Sequence, residues 1–286
     1  MTRVRNILSA AVISAGIMIG VTAVAPSANP ILTHKYTADP QPIVWNDRLY
    51  VYASNDDQSV DPDAGYVIQA YTLVSTDDMA NWVDHGEVFR VPRDWRNNTS
   101  TTDARAYAPG AVVRDNTVYL YPCGAGGPVG VVTAPRPEGP FNDVHNGRAL
   151  ADRGSWCRNC NVPWLFDPAA FVDDDGQGYL YYGGGGENSF RVMRLNDDMI
   201  SMISLRDSQA ITIVSPRAFE ASYMHKRGNT YYFSYVNDFS PPAGEPGAAI
   251  VYMTGDNPMG PFTFRGPVLR NPSINGQNIN RHNNNH

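Results

Sequence analysis

Cysteine is scarce in this chain of 286 residues: it has Cys123, Cys157 and Cys160 and no more. An odd number leaves at least one thiol free or bonded between chains. Cys157-Arg158-Asn159-Cys160 has the spacing of a redox or zinc half-site. Zinc would need about two further ligands and none lies nearby, so a local disulfide in an exported protein is the better reading. A catalytic Cys would want a His partner, and no motif supplies one. Charge is also sparse, at 17 %, with a net value of −6. No run of Lys or Arg is present, which argues against a nucleic-acid partner, because phosphate contacts need clustered positive charge. A neutral polymer meets no such objection. After residue 24 no stretch is long and apolar enough to span a bilayer.

The N-terminus carries a targeting pattern. Arg3 and Arg5 give a positive start, Ile7 to Val24 is apolar, and Ala23-Val24-Ala25 and Pro26-Ser27-Ala28 are small-residue cleavage candidates. Residues 1–28 are expected to be a secretory signal and residues 29–286 the mature domain, secreted to the extracellular space. The alternative is an uncleaved membrane anchor. Asn97-Asn98-Thr99 and Asn98-Thr99-Ser100 are overlapping glycosylation sequons, relevant only in a host that glycosylates.

Aromatics make up 11 % of the chain, with 16 Tyr, 25 Gly and 22 Pro. That mix suits many short strands joined by tight turns. Four segments look alike: Asp47 to Tyr52, Asn116 to Tyr121, Gln177 to Tyr182 and Asn229 to Ser234. Each runs from a polar turn into an aromatic alternating strand. Aligning Tyr50, Tyr119, Tyr179 and Tyr232 gives spacings of about 69, 60 and 53 residues, a period that predicts a β-propeller with four strands per blade. After the aromatic strand, units one and three share Asp-Asp-Met, and units two and four share Gly-Pro-Phe. The competing architecture is a β-sandwich with common turn chemistry; shared motifs in one order argue against it.

About 12 residues before each aligned Tyr stand Asp39, Tyr107, Asp167 and Glu220. In a propeller the innermost strands line the axis, so equivalent positions form a ring at one end of the channel. Carboxylates are seldom buried unless paired or functional. Asp39 and Asp167 also precede Pro, where Asp often caps a turn; Glu220, between Phe219 and Ala221, has no such explanation. Converging carboxyls suit glycoside hydrolysis, where one protonates the leaving oxygen and another activates water or attacks. Apolar neighbours and nearby negative charge make Glu220 the better acid, Asp39 the better base, and Asp167 the group that orients Glu220 and modulates its pKa. The aromatic residues Trp164, Phe219, Tyr223, Tyr107 and Trp45 are candidates to bind substrate, with core packing the alternative for each.

At these residues the sequence resembles glycoside hydrolase family 43, from about Asn29 onward. The stretches that carry the resemblance are Tyr36 to Pro40, Tyr107 to Gly110, Phe166 to Ala169 with Asp173 to Tyr181, and Phe219 to Arg227. The resemblance implies an all-β, five-bladed β-propeller that inverts the anomeric centre, with Asp39 as general base, Asp167 as pKa modulator and Glu220 as general acid. It implies α-L-arabinofuranosidase, β-xylosidase or arabinanase activity on plant cell-wall polysaccharide, such as arabinoxylan. No cofactor is required, although a structural calcium in the central channel is allowed, with His286 the nearest match to a channel His. Four units are found and the chain ends at Asn278 to His286, so the expected domain is truncated after its fourth blade, or else ends in a low-complexity linker. Two other functions compete: a non-catalytic carbohydrate-binding propeller, and a fructan-cleaving propeller that retains configuration. Inversion asks for carboxyls about 6.5–9.5 Å apart, retention about 5–5.5 Å.

Overall fold

The computed structural model describes residues 31–56, 68–92, 105–124, 129–151, 160–202, 210–237 and 248–270, with short backbone stretches at 273–274 and 277–278. The expected signal segment, the sequons, Cys157 and His286 lie outside the described residues. Among those described there is no helix, and hence none long and apolar enough to cross a membrane.

Four antiparallel sheets of four strands follow one another along the chain, each in simple up-and-down order. Blade 1 is β1 (Gln41–Trp45), β2 (Arg48–Asp56), β3 (Ile68–Thr76) and β4 (Val83–Arg90). Blade 2 is β5 (Tyr107–Arg114), β6 (Thr117–Cys123), β7 (Val132–Ala134) and β8 (Asn142–Asp143). Blade 3 is β9 (Ala169–Val172), β10 (Gly178–Gly183), β11 (Phe190–Arg194) and β12 (Ile211–Ile213). Blade 4 is β13 (Ala218–Arg227), β14 (Thr230–Asn237), β15 (Ile250–Gly255) and β16 (Thr263–Leu269). A small two-stranded sheet follows, of β17 (Ser273–Ile274) and β18 (Gln277–Asn278). The first strands β1, β5, β9 and β13 neighbour one another in turn, which makes the assembly a propeller.

Local chemistry explains the hairpins. Asn46 and Asp47 (φ 48° and 61°) join β1 to β2, and Asp115 and Asn116 (φ 49° and 56°) join β5 to β6. Two successive left-handed residues form the turn whose twist matches that of the strands, and Asn and Asp tolerate it best.

Side chains alternate across each blade, so one strand supplies two interfaces. In β6, Val118 and Leu120 pack toward blade 1, while Tyr119 and Tyr121 pack toward blade 3. In β10, Leu180 and Tyr182 pack toward blade 2, while Tyr179 and Tyr181 pack toward blade 4. The repeat Tyr therefore faces the following blade. The Tyr two residues later does so too and carries a hydroxyl that needs a partner. Tyr52 donates to the Pro137 carbonyl (2.7 Å), Tyr121 to that of Met199 (2.8 Å) and Tyr181 to that of Pro258 (2.6 Å). All three acceptors lie in the turn after the third strand of the next blade, so one latch is used three times. Blade 4 has Ser234 at that position, and its Tyr232 stacks instead on His225 (4.9 Å between centroids) and Tyr252 (6.3 Å).

Blades 3 and 4 are joined at their turns as well. Lys226 reaches Asp173 (2.6 Å) and Asp174 (2.8 Å), and the Tyr231 hydroxyl donates to Asp173 (2.5 Å). Burial pushes the Asp173 carboxyl up, and the hydrogen bonds from Lys226, Tyr231 and the Asp174 N–H more than reverse this, leaving it below its ordinary value. Cys160 is disulfide-bonded and Cys123 is a buried free thiol.

Candidate active site

Three carboxylates sit at the same end of the inner strands. Asp39 lies two residues before β1, Asp167 lies two before β9, and Glu220 is the third residue of β13. Measured from the residue paired with each repeat Tyr, Asp39 and Asp167 are four residues back, and Tyr107 and Glu220 are five back. The extra residue is explained by register shifts in β5, between Tyr107 and Gly110, and in β13, on both sides of Glu220. A bulge adds one residue to a strand and re-aims its side chains.

The backbone at these corners is unusual. Asp39 (φ 57°), Asp167 (φ 48°) and Ala221 (φ 61°) are all left-handed. For Ala221 this conformation has no side-chain compensation and costs about 1–2 kcal/mol, a level of strain that concentrates at functional sites. It lets Glu220 point one way while the Ala221 N–H turns back to donate to the Asp167 carboxylate (Oδ2, 3.1 Å). That bond ties Asp167 to the residue next to Glu220. Both side chains are buried, Asp167 at 4 % exposure and Glu220 at 7 %.

Asp39 and Asp167 line one cavity of about 220 Å³, together with Ala108, Pro109, Ser222 and Tyr223. A second cavity of about 370 Å³ continues along the same four inner strands past Ile43, Val112, Phe171 and Met224, tracing the axial channel. Gly110 matters to this wall. A Cβ there would lie 2.5 Å from the Pro168 carbonyl oxygen, so only glycine lets β5 press against the Asp167-Pro168 corner.

The aromatic candidates separate into groups. Tyr223 lines the cavity. Trp164 is 40 % exposed and stands edge-on to Phe166 (5.4 Å) and Phe219 (5.1 Å), beside the Glu220 strand. Tyr107 starts β5 next to the cavity residues Ala108 and Pro109, and its carbonyl is held by the Tyr71 hydroxyl. Trp45 is not brought to the site: it ends β1 and packs on the core between blades 1 and 2. Its closeness to Asp39 in sequence is not closeness in space, because a strand rises about 3.3 Å per residue.

Sequence reasoning missed the loop at Gly183, Gly184 and Gly185. Its backbone threads between the aromatic residues, with Gly185 N–H donating to the Phe219 carbonyl (2.7 Å) and Gly183 N–H to that of Phe166 (3.0 Å). A Cβ on Gly184 would come within 2.6 Å of both Phe166 and the Phe219 oxygen. The four consecutive glycines at 183–186 were the visible signal. Among the described residues no group of three or more His, Cys, Asp or Glu is placed to hold a metal ion.

Comparison with known proteins agrees with the propeller fold. The family model described as Glycosyl hydrolases family 43 matches residues 27–285. The chain is 37 % identical over 272 residues to an arabinoxylan arabinofuranohydrolase of Paenibacillus polymyxa, covering 86 % of this chain and 42 % of that protein. It is 36 % identical over 274 residues to an arabinoxylan arabinofuranohydrolase of Bacillus subtilis, covering 86 % of this chain and 52 % of that one. The chain thus spans about half the length of these relatives. Among solved structures, an α-L-arabinofuranosidase of Clostridium thermocellum superimposes with a TM-score of 0.69 at 41 % identity, covering 88 % of this chain and 79 % of the other.

Proposed function

The chain belongs to glycosyl hydrolases family 43, and from that premise we propose that it is an inverting glycosidase releasing arabinofuranosyl or xylosyl residues from plant hemicellulose such as arabinoxylan. The observation that carries the reading is the bond from the Ala221 N–H to Asp167, which joins two buried carboxylates beside the cavity that Asp39 lines. Structural support of a fold does not call for acids collected at one end of an axial channel.

In the proposed reaction Asp39 takes a proton from a water molecule as that water attacks the anomeric carbon. The glycosidic C–O bond breaks, and Glu220 gives its proton to the departing oxygen. Asp167 touches neither proton; through the Ala221 N–H it fixes the bulge that aims Glu220. Water, an acid and a base suffice for this step, so no cofactor enters it. Trp164, Phe219 and Tyr223 offer faces for the pentose rings, since aromatic faces pack on apolar sugar surface. Secretion is proposed from the N-terminal pattern, and the disulfide at Cys160 fits an oxidising compartment.

The test is release of p-nitrophenol from the α-L-arabinofuranoside and the β-D-xyloside by the chain and by Glu220→Ala, with the anomer of the first-formed sugar followed by NMR. Loss of about 10²–10⁴-fold in the variant is expected. Soluble, folded protein that releases nothing from either substrate overturns the reading.

A further inference from the structure

Tyr71 lies outside every motif discussed above, on β3 of blade 1, and is fully buried. Its hydroxyl donates to the Tyr107 carbonyl (2.7 Å) and accepts the Cys123 N–H (3.2 Å). Tyr107 and Cys123 face each other at the bulged end of the β5–β6 ladder. One phenol of blade 1 thus closes the end of blade 2 beside the cavity, where the bulge leaves backbone groups without ladder partners.

Both directions from Tyr71 lead to a carboxylate. Across β2, its register partner is Ser54. Ser54 holds Ala38, the residue before Asp39, by three bonds: its N–H and its hydroxyl reach the Ala38 carbonyl (2.9 and 3.1 Å), and its Oγ accepts the Ala38 N–H (3.0 Å). On the other side, the Asp167 backbone and charge both bear on the buried Cys123 thiol, and β5 presses Gly110 against the Asp167-Pro168 corner, where a Cβ would lie 2.5 Å from the Pro168 carbonyl oxygen. Burial pushes the Cys123 thiol up, and the Asp167 and Asp39 charges add to this; the two carboxylates line one cavity. The Tyr71 phenol is likewise raised by burial first, with Asp39 and Asp167 among the further causes.

We propose that Tyr71 is a positioning residue: its hydroxyl, through Tyr107 and Cys123, sets the separation of Asp39 and Asp167. The proposal rests on the glycosidase reading for its kinetic consequence and on geometry alone for its structural one. The two acids come from different blades, and no direct bond between them would fix their spacing without neutralising one. A neutral relay behind them does so. Displacements of about 1 Å at such a site reduce turnover by about 10²-fold, and productive geometry tolerates about 0.5 Å.

The experiment compares wild type with Tyr71→Phe, which keeps the ring and removes the hydroxyl, by crystallography and by steady-state kinetics. The expected result is a change of about 0.5 Å or more in the separation of the Asp39 and Asp167 carboxyls. With it should come a fall in kcat of about tenfold or more, KM within about twofold, and a moved acid limb in the pH–rate profile. A residue that only supports folding lowers the active fraction and leaves the shape of that profile unchanged. Unchanged separation, with either unchanged kcat or an unmoved profile, overturns the proposal. If wild type cleaves no pentoside yet Tyr71→Phe moves the carboxyls, the positioning role stands and the glycosidase reading falls. Should Tyr71→Phe not fold, Cys123→Ala interrupts the same relay at its Asp167 end and is judged by the same separation and profile.

Discussion

Gly110→Ala is the sharpest probe of how tightly blade 2 is pressed against the site. The added Cβ would sit 2.5 Å from the Pro168 carbonyl oxygen and 3.0 Å from its carbon, both of them backbone atoms without rotamer freedom. Ordinary contact begins at 3.4 Å, so β5 and the Asp167-Pro168 corner must separate by about 0.9 Å, a distance that overpacked cores accommodate at about 1–3 kcal/mol. The movement falls on the residue adjoining Asp167, whose carboxylate holds the Ala221 N–H. A shift of this size at the carboxylate proposed to aim Glu220 is expected to lower kcat by about 10- to 100-fold. Because Gly110 itself bears no substrate-binding group, KM should stay within about twofold. Urea unfolding followed by tryptophan fluorescence gives the stability change, and p-nitrophenol release gives kcat and KM. A folded variant with wild-type kcat and an unchanged unfolding midpoint would refute the close-packing argument.

Three further outcomes follow from the fold. Phe233→Ala removes a fully buried ring whose neighbours are Tyr181, Phe190, Tyr235 and Phe262, and should cost about 3–5 kcal/mol in urea unfolding. Tyr52→Phe and Tyr181→Phe each delete one latch between blades. Each should cost about 1–3 kcal/mol because a buried carbonyl loses its donor, and the double variant should show the sum, since the sites share no partner. The Asp173 carboxyl lies below its ordinary value when folded, so its contribution to stability is present above the unfolded value of about 3.9 and disappears as pH falls through the lower folded one. Lys226→Met should therefore flatten the pH dependence of the melting temperature below about pH 4 and leave its slope at pH 6–8 unchanged.

The repeat was legible in sequence because period-two alternation and turn chemistry are both local. The aligned Tyr residues do mark equivalent strands, and a fixed step back from them does reach the end of the inner strands where Asp39, Tyr107, Asp167 and Glu220 stand. The bulges were not legible. Ala221 gives no hint of a positive φ, since no Gly, Asn or Asp occupies that position. Trp45 stands six residues from Asp39 along the chain, and the strand between carries it away from the site. Tyr71 is hidden for the opposite reason: its partners, Tyr107 and Cys123, lie 36 and 52 residues away, and no local pattern links either of them to it. Only the folded backbone brings them together.

The two-sided use of β6 and β10 has a consequence for how reliably the chain finds one arrangement. Slipping β10 by a single residue would exchange Tyr179 and Tyr181 with Leu180 and Tyr182, and each set would face the wrong neighbour. The Tyr181 hydroxyl would leave the Pro258 carbonyl in the same event. A strand covered on one face forfeits one contact surface when it slips; this one forfeits two and a buried hydrogen bond together. Each inner blade is thus proofread from both sides, and near-native misalignments are separated from the correct pairing by a wide energy gap.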